Sequence, residues 1–157
     1  MKVNKLLESS ENFQFSDEVL KNKYLYNRVL ELQSELIEQL ECKVVIKKVA
    51  QYYYELNVLK IPKEINLLEI PFCKLTIGLF SKSLQIEAAV YESSKIDNRI
   101  FFNLSITFIN ETTGILHSNG ESISHLNNGI SISSFTAGIV YLVKTMKNDI
   151  YSLTAYR

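Results

Sequence analysis

Three side chains with acid–base or metal-binding chemistry gather in one short stretch of the sequence. His117, Glu121 and His125 are spaced four residues apart, with serines between them. A histidine held by a carboxylate can act as general base toward a serine nucleophile. Two histidines and a glutamate are also ligands that Zn²⁺ accepts. A third interpretation is a polar hairpin end around Asn119-Gly120, a dipeptide typical of tight turns. These three residues are the catalytic candidates that the sequence offers.

The rest of the sequence carries none of the short motifs that accompany common enzyme chemistries. There is no GxGxxG, Walker A loop, HExxH, GxSxG or zinc-finger spacing. Only five glycines occur, and they do not cluster into a loop that could hold a phosphate. We therefore expect a non-enzymatic protein with no cofactor, no metal site and no small-molecule ligand.

Three consecutive tyrosines, Tyr52, Tyr53 and Tyr54, are the candidate interface residues. If the segment is helical, three adjacent positions sweep about 200°, so at least one ring must be partly exposed. Exposed tyrosines are enriched among the residues that dominate binding at protein interfaces. The alternative is that two rings pack under a sheet while one hydroxyl reaches water.

Composition limits the class of protein and the kinds of partner. The chain has 157 residues, 46% of them hydrophobic and 22% charged, which is typical of a globular domain. Seventeen basic residues balance seventeen acidic ones, so nucleic-acid or anionic-membrane binding is not expected. Lys43, Lys47 and Lys48 form the best basic patch, which we interpret as a solvated surface.

Targeting signals and cysteine usage favour a cytoplasmic protein. The start MKVNKLLESSENF lacks the apolar core of a signal peptide, and no apolar run approaches the length of a membrane span. Cys42 and Cys73 show neither metal spacing nor a CxxC motif. One disulfide is possible, but buried free thiols in a reducing compartment are the preferred interpretation.

The N-terminal part, residues 16–60, is predicted to be helical after a loosely ordered segment over residues 1–15. Ser16 or Asp17 can cap a helix that runs to about Glu41. Its apolar stripe follows spacings of three and four: Leu25, Val29, Leu32, Leu36 and Leu40. We expect this stripe to pack on the protein's own core, with a homodimeric helix pair as the alternative. For residues 43–57 we favour a second helix, although the β-propensity of this segment also allows a strand.

From Phe72 onward the apolar period becomes two, which predicts an antiparallel sheet over residues 65–132. Turn signals at Asn119-Gly120 and Asn128-Gly129 separate its later strands. Ser133 or Ser134 can cap a last helix over residues 134–154, with apolar residues at a 3.6 period. The predicted fold of residues 16–157 is a single α+β domain: N-terminal amphipathic helices, a four- to five-stranded antiparallel meander, and a C-terminal helix packed on the sheet.

The C-terminal segment IVYLVKTMKNDIYSLT is similar to the C-terminal helix of the SecB family of export chaperones. That helix often ends in an Ile-x-x-Leu-Thr-like step, which here falls at Ile150 to Thr154. The family's Phe-Pro-Tyr is replaced by Val143-Lys144-Thr145, and the family begins with a strand where this chain begins with a helix. The resemblance covers about the last third of the chain and implies, as an alternative, a chaperone that binds unfolded clients.

The sequence as a whole favours a small cytoplasmic binding protein that acts through a protein–protein interface. An adaptor, an immunity protein or a phage or plasmid accessory protein would fit, with a protein partner or self-association. The alternatives are the SecB-like chaperone and a minor enzyme or metal protein that uses His117, Glu121 and His125.

Overall fold

A computed structural model describes the chain in four stretches, residues 13–60, 71–91, 100–120 and 130–155. Within these stretches the chain forms two helices and a seven-stranded sheet. In chain order the elements are α1 (Glu18–Leu40), β1 (Cys42–Ala50), β2 (Tyr53–Lys60), β3 (Pro71–Leu79), β4 (Leu84–Tyr91), β5 (Ile100–Asn110), β6 (Thr113–Gly120), β7 (Ile130–Ile132) and α2 (Phe135–Ala155).

The first helix is capped at both ends, by Asp17 at its N-terminus and by Glu41 at its C-terminus. The Asp17 carboxylate accepts a hydrogen bond from the Val19 N–H at 2.7 Å, which satisfies one of the free donors of the first turn. At the other end Glu41 adopts a left-handed conformation (φ 47°), and its N–H donates to the Ile37 carbonyl at 3.1 Å. The predicted helix and its core-facing stripe are confirmed: Leu25, Val29, Leu32 and Leu36 are buried.

The predicted helix over residues 43–57 is wrong, because this segment forms the hairpin of β1 and β2. The helical part therefore ends at Leu40 and does not extend to residue 60. Along β1, Cys42 and Val44 are buried while Lys43 and Val45 are exposed, which is the period of a strand. The β-branched and aromatic residues of this segment favour an extended backbone, and pairing with β2 and β3 stabilises it.

The seven strands form one antiparallel meander in which every strand pairs with its neighbours in the sequence, in the order β1 to β7. The antiparallel sheet is confirmed, and its strand number is higher than the predicted four or five because of the β1–β2 hairpin. Residues 118–120, predicted to open a tight turn, still belong to β6. Glu121 and the predicted turn at residues 127–129 lie outside the described residues, as do residues 1–12 of the predicted loose N-terminal segment.

Both helices lie on the same face of the sheet, and the core lies between them and the strands. The second helix is capped as predicted, since the Ala137 N–H donates to the Ser134 hydroxyl at 3.1 Å. It approaches the sheet closely at Gly138, where an added Cβ would lie 2.9 Å from Ile132 Cγ2. The buried apolar residues that α2 contributes are Phe135, Ile139, Leu142, Val143 and Met146.

A polar cluster joins the two helices to the turn between β5 and β6. The Arg28 guanidinium lies 4.9 Å from the centre of the Tyr24 ring and 5.1 Å from that of Phe135, and its Nη1 is 2.7 Å from the Glu31 carboxylate. The Tyr24 hydroxyl donates to the Glu111 carboxylate. Burial and this hydrogen bond raise the pKa of the Tyr24 phenol, so Tyr24 stays neutral. The cluster thereby links α1 and α2 to the β5–β6 turn.

Candidate functional site

One of the three catalytic candidates falls within the described residues. His117 lies on β6, exposed, on the face of the sheet that the helices leave uncovered. Its cross-strand partner on β5 is Ser105, and Glu87 on β4 is the partner of Ser105. The register therefore places a carboxylate, a hydroxyl and an imidazole in one row across three strands, on one face. Glu121 and His125 lie outside the described residues.

The row Glu87–Ser105–His117 has the residue types of a nucleophile and a base but not their geometry. Within the described stretches, no side-chain hydrogen bond joins His117 to Ser105 or Glu87, whereas a base must lie within hydrogen-bond reach of the proton it takes. His117 and Glu87 are both exposed to water, where electrostatic interactions are weak. Among the same residues, no group of three His, Cys, Asp or Glu side chains could hold a metal ion.

The face of the sheet that neither described helix covers is called here the open face. Seven strands about 4.8 Å apart make it about 29 Å wide, and its longer strands make it about 26 Å long. Its side chains are mostly polar and half-buried or exposed. From β2 to β6 they include Tyr53, Glu55, Asn57, Lys74, Thr76, Gln85, Glu87, Asn103, Ser105, Thr107, Ile115 and His117.

The three tyrosines occupy three different environments because they lie in a turn and a strand, not in a helix. Tyr52 is in the β1–β2 turn with a positive φ of 60°; its hydroxyl is buried without a hydrogen-bond partner, and the Lys21 ammonium lies 4.1 Å from its ring centre. Tyr54 is in the core, where its ring contacts that of Tyr26. Tyr53 alone lies on the open face.

Tyr53 forms an aromatic corner on the open face with Phe80. The two rings are 6.4 Å apart in an edge-on arrangement, and Phe80 is 44% exposed. The Tyr53 ring lies over Gly78, its cross-strand partner, so closely that a Cβ on Gly78 would be 2.6 Å from Tyr53 Cδ2. A glycine at this position therefore leaves the space in which the ring lies flat on the strand.

Next to this corner, Glu55 of β2 is paired with Lys74 of β3. The Glu55 carboxylate accepts a hydrogen bond from the Asn57 amide at 3.0 Å and lies 3.3 Å from the Lys74 ammonium. The Asn57 hydrogen bond, the Lys74 contact and the positive charge of Lys47 lower the pKa of Glu55. This part of the open face thus presents opposite charges already matched to each other, beside an aromatic pair.

The two cysteines are buried free thiols, as preferred from the sequence, and they form no disulfide. Cys42 Sγ donates to the Leu36 carbonyl at 3.5 Å. Burial raises the pKa of the Cys42 thiol to about 11 and that of Cys73 well above its usual value. Since the thiolate is the reactive form, neither side chain is a nucleophile at neutral pH.

Sequence reasoning missed a second apolar line on α1. Val19, Tyr26, Leu30 and Ile37 are exposed, although each is large and apolar. Their spacings of seven, four and seven residues place all four within about 40° of one another around the helix. This line, called here the α1 flank, was detectable from its spacing. The buried stripe on the same helix, Leu25 to Leu36, is the stronger signal in the sequence.

No protein-family model, curated protein or solved structure matches this chain. None of the helices in the described stretches has both the length and the apolar character needed to cross a membrane. The functional argument therefore depends on the geometry of the open face and the α1 flank.

Proposed function

We propose that this protein is a non-enzymatic binding protein of the adaptor or immunity type, and that a partner protein docks on the open face. One observation carries the proposal: a seven-stranded face that neither described helix covers presents the half-exposed Tyr53–Phe80 pair among polar side chains. The face has dimensions of about 29 by 26 Å. That corresponds to about 750 Å², close to the roughly 800 Å² that each partner contributes to a specific interface.

The composition of the open face favours a partner that is a folded protein. Interfaces between separately folded proteins combine a few aromatic anchors with a polar surround. Tyr53 and Phe80 supply the anchor, and the Glu55–Lys74 pair and the hydroxyl and amide side chains of β3 to β5 supply the surround. An enzyme would need a concave site with convergent groups, and the described part of the open face is a row of separate side chains.

The test is native mass spectrometry on the tagged chain purified gently from the cells in which it naturally occurs. We expect a stoichiometric complex with one other polypeptide. The variant that combines Tyr53→Ser with Phe80→Ser should weaken the complex by about 30-fold or more, since truncation of an anchor costs about 2 kcal/mol or more.

Tyr141→Ser is the matched control. Tyr141 lies on α2, on the helical side of the molecule, and is 37% exposed, so its removal changes an exposed tyrosine without touching the open face. Urea unfolding of each variant separates loss of binding from loss of folding. A partner retained equally by the double variant and by the control would refute the open face as the docking surface, and the absence of any partner would refute the binding role.

The two alternatives from the sequence remain predictions with their own tests. A SecB-like chaperone would capture unfolded clients of many sequences, whereas the proposed binding protein would hold one folded partner. A metal protein that uses His117, Glu121 and His125 would retain a metal ion that elemental analysis detects. Neither outcome is expected for the proposed function.

A further inference from the structure

The α1 flank exposes more apolar side chain than a helix that packs only on its own core requires. Val19 is 72% exposed, Tyr26 45%, Leu30 37% and Ile37 44%. The line spans 18 residues, or about 27 Å of helix. It lies about 110° around the helix from the buried stripe, and in the described part of the chain Tyr26 is the flank residue whose ring contacts a core side chain, Tyr54, at 6.0 Å. Contiguous exposed apolar surface of this kind commonly marks an interaction site.

The α1 flank lies beside the free edge of the sheet. Gln33, on the same side of α1, extends its side-chain amide to the Val44 carbonyl of β1 at 3.5 Å. β1 is the first strand of the sheet, with β2 as its single partner among the described strands. Exposed apolar helix surface and an edge strand whose outer side has no strand partner among the described strands therefore form one continuous surface.

We propose that this surface is occupied by a second copy of the chain, related by a two-fold axis that passes α1 at the level of Arg28. With two antiparallel α1 helices about that axis, Val19 faces Ile37 of the second copy. Tyr26 then faces Leu30, and Lys23 faces Gln33. Every apolar residue meets an apolar one, and the polar residues meet each other. A parallel pair would set Lys23 against Lys23, which is unfavourable.

The same axis gives an acceptable register for the two β1 strands. The contacts of Gln33 with Val44 and of Cys42 with Leu36 fix the height of the helix over the strand. From the rise of about 1.5 Å per helical residue and 3.3 Å per strand residue, Arg28 lies level with about Ile46. Antiparallel pairing about Ile46 places Lys47 opposite Val45 and Lys48 opposite Val44 of the second copy.

In that register, Lys43 lies opposite Val49, so no lysine stands directly opposite another. Lysines on an edge strand usually discourage strand pairing, and this arrangement avoids the direct contact of like charges. Helix and strand thus share a single two-fold axis, as a closed homodimer requires. The inference is independent of the proposed function, because the open face remains uncovered in this dimer.

The first experiment is light scattering coupled to size-exclusion chromatography on the full chain, over a concentration series. We expect a mass near twice 18.1 kDa. Leu30→Glu should raise the dissociation constant by more than about 100-fold, since it buries two unpaired carboxylates per dimer. Ile109→Glu, which changes an exposed isoleucine of β5, should leave the dimer intact. A monomeric wild type, or a dimer that Leu30→Glu does not weaken while its circular dichroism is unchanged, would overturn the proposal.

The second experiment tests the orientation of the two helices. Chains carrying Val19→Cys are mixed with chains carrying Ile37→Cys and oxidised briefly. The native thiols are buried and do not compete. The proposed antiparallel pair predicts a cross-link between the two variants and little between two Val19→Cys chains, whose position-19 residues lie about 27 Å apart along the helix pair. Efficient cross-linking of Val19→Cys to itself would overturn the arrangement.

Discussion

Two glycines of the sheet face the same steric problem with different outcomes, and this contrast gives a sharp prediction. A Cβ added to Gly114 would lie 2.6 Å from Phe108 Cδ1, and a Cβ added to Gly78 would lie 2.6 Å from Tyr53 Cδ2. In both cases the aromatic residue is the cross-strand partner of the glycine. Normal carbon–carbon contacts are about 3.5–4.0 Å, so each alanine substitution requires its ring to move by about 1 Å.

The Phe108 ring cannot move. Phe108 is fully buried, and its ring contacts that of Phe135 at a centroid distance of 5.8 Å. The end of the ring would lie 3.0 Å from a Cβ on Gly138. Overpacking a core costs about 1–3 kcal/mol, while replacing glycine in a strand by alanine gains about 0.5–1 kcal/mol. Gly114→Ala should therefore destabilise the fold by about 1–2 kcal/mol.

The Tyr53 ring is half-buried on the open face and can turn toward solvent. Gly78 is buried beneath this ring and a Cβ would also lie 3.1 Å from Phe80 Cε2, but Phe80 is exposed as well. Because both rings can move toward solvent, Gly78→Ala should change stability by no more than about 0.5 kcal/mol. Since it displaces Tyr53 from the aromatic corner, it should nevertheless weaken the proposed partner complex.

Urea unfolding followed by far-ultraviolet circular dichroism measures both effects, since the chain has no tryptophan to report them by fluorescence. The thermal midpoint of Gly114→Ala should fall by about 2–8 °C. In a Phe108→Leu background, the penalty of Gly114→Ala should shrink by about 1 kcal/mol or more, because the clashing ring is absent. Equal stability of Gly114→Ala and Gly78→Ala, or additive behaviour in the double variant, would refute the argument that a fixed ring sets the cost.

Three further predictions concern titratable groups and a helix cap. The pKa of Glu55, measured by NMR, should lie below that of an ordinary glutamate. It should rise in Asn57→Ala, which removes a hydrogen bond to the carboxylate. The stability that Glu55 contributes is present above its unfolded pKa and is lost as the pH falls through the lower folded pKa. Burial raises the pKa of Cys42 to about 11. Cys42 and Cys73 should therefore react slowly with a thiol reagent in the native protein and rapidly in urea. Their contribution to stability should decline as the pH rises above the usual pKa of a thiol. Ser134→Ala should cost about 1 kcal/mol in urea unfolding through loss of the N-cap, with Ser134→Thr close to wild type. Rapid labelling of native thiols, an ordinary Glu55 titration or a neutral Ser134→Ala would each contradict the corresponding argument.

The elements that could be predicted from the sequence are those in which local chemistry and hydrophobic period agree. In α1, the Asp17 cap and the spacing of its buried leucines indicate a helix independently. In β3 to β5, strict alternation indicates strands whose register pairs like faces, for example Ile77 with Ile86 and Ile86 with Ile106. Ser134 and the apolar spacing that follows it likewise agree on α2. In each of these elements the local preference agrees with the structure that its neighbours stabilise.

The β1–β2 hairpin could not be predicted because two periods coexist in it. Val45, Val49, Tyr52 and Leu56 follow helical spacing, while Cys42, Val44 and Ile46 alternate as in a strand. The turn that separates the strands contains neither Gly nor Pro, and Tyr52 adopts a positive φ of 60° that its residue type does not suggest. The β-propensity of the segment allows a strand but does not exclude a helix, and the pairing of β1 with β2 and of β2 with β3 decides the outcome.

Helix α1 is the element that the sequence predicts best, and it also carries the α1 flank, which was not predicted. A single apolar stripe on α1 suffices for a helix that covers one sheet, and Leu25 to Leu36 provide it. Inside one copy of the chain the α1 flank is covered only in part, for example where Tyr26 contacts Tyr54, since the described sheet ends beneath it at β1. Its residues become consistent with the rest of the fold when a second α1 lies against them. Val19 and Ile37, at opposite ends of the line, then meet across the axis, and the polar position Lys23 meets Gln33. The homodimer thus gives a physical reason for the four apolar residues of the α1 flank that are exposed in the isolated chain.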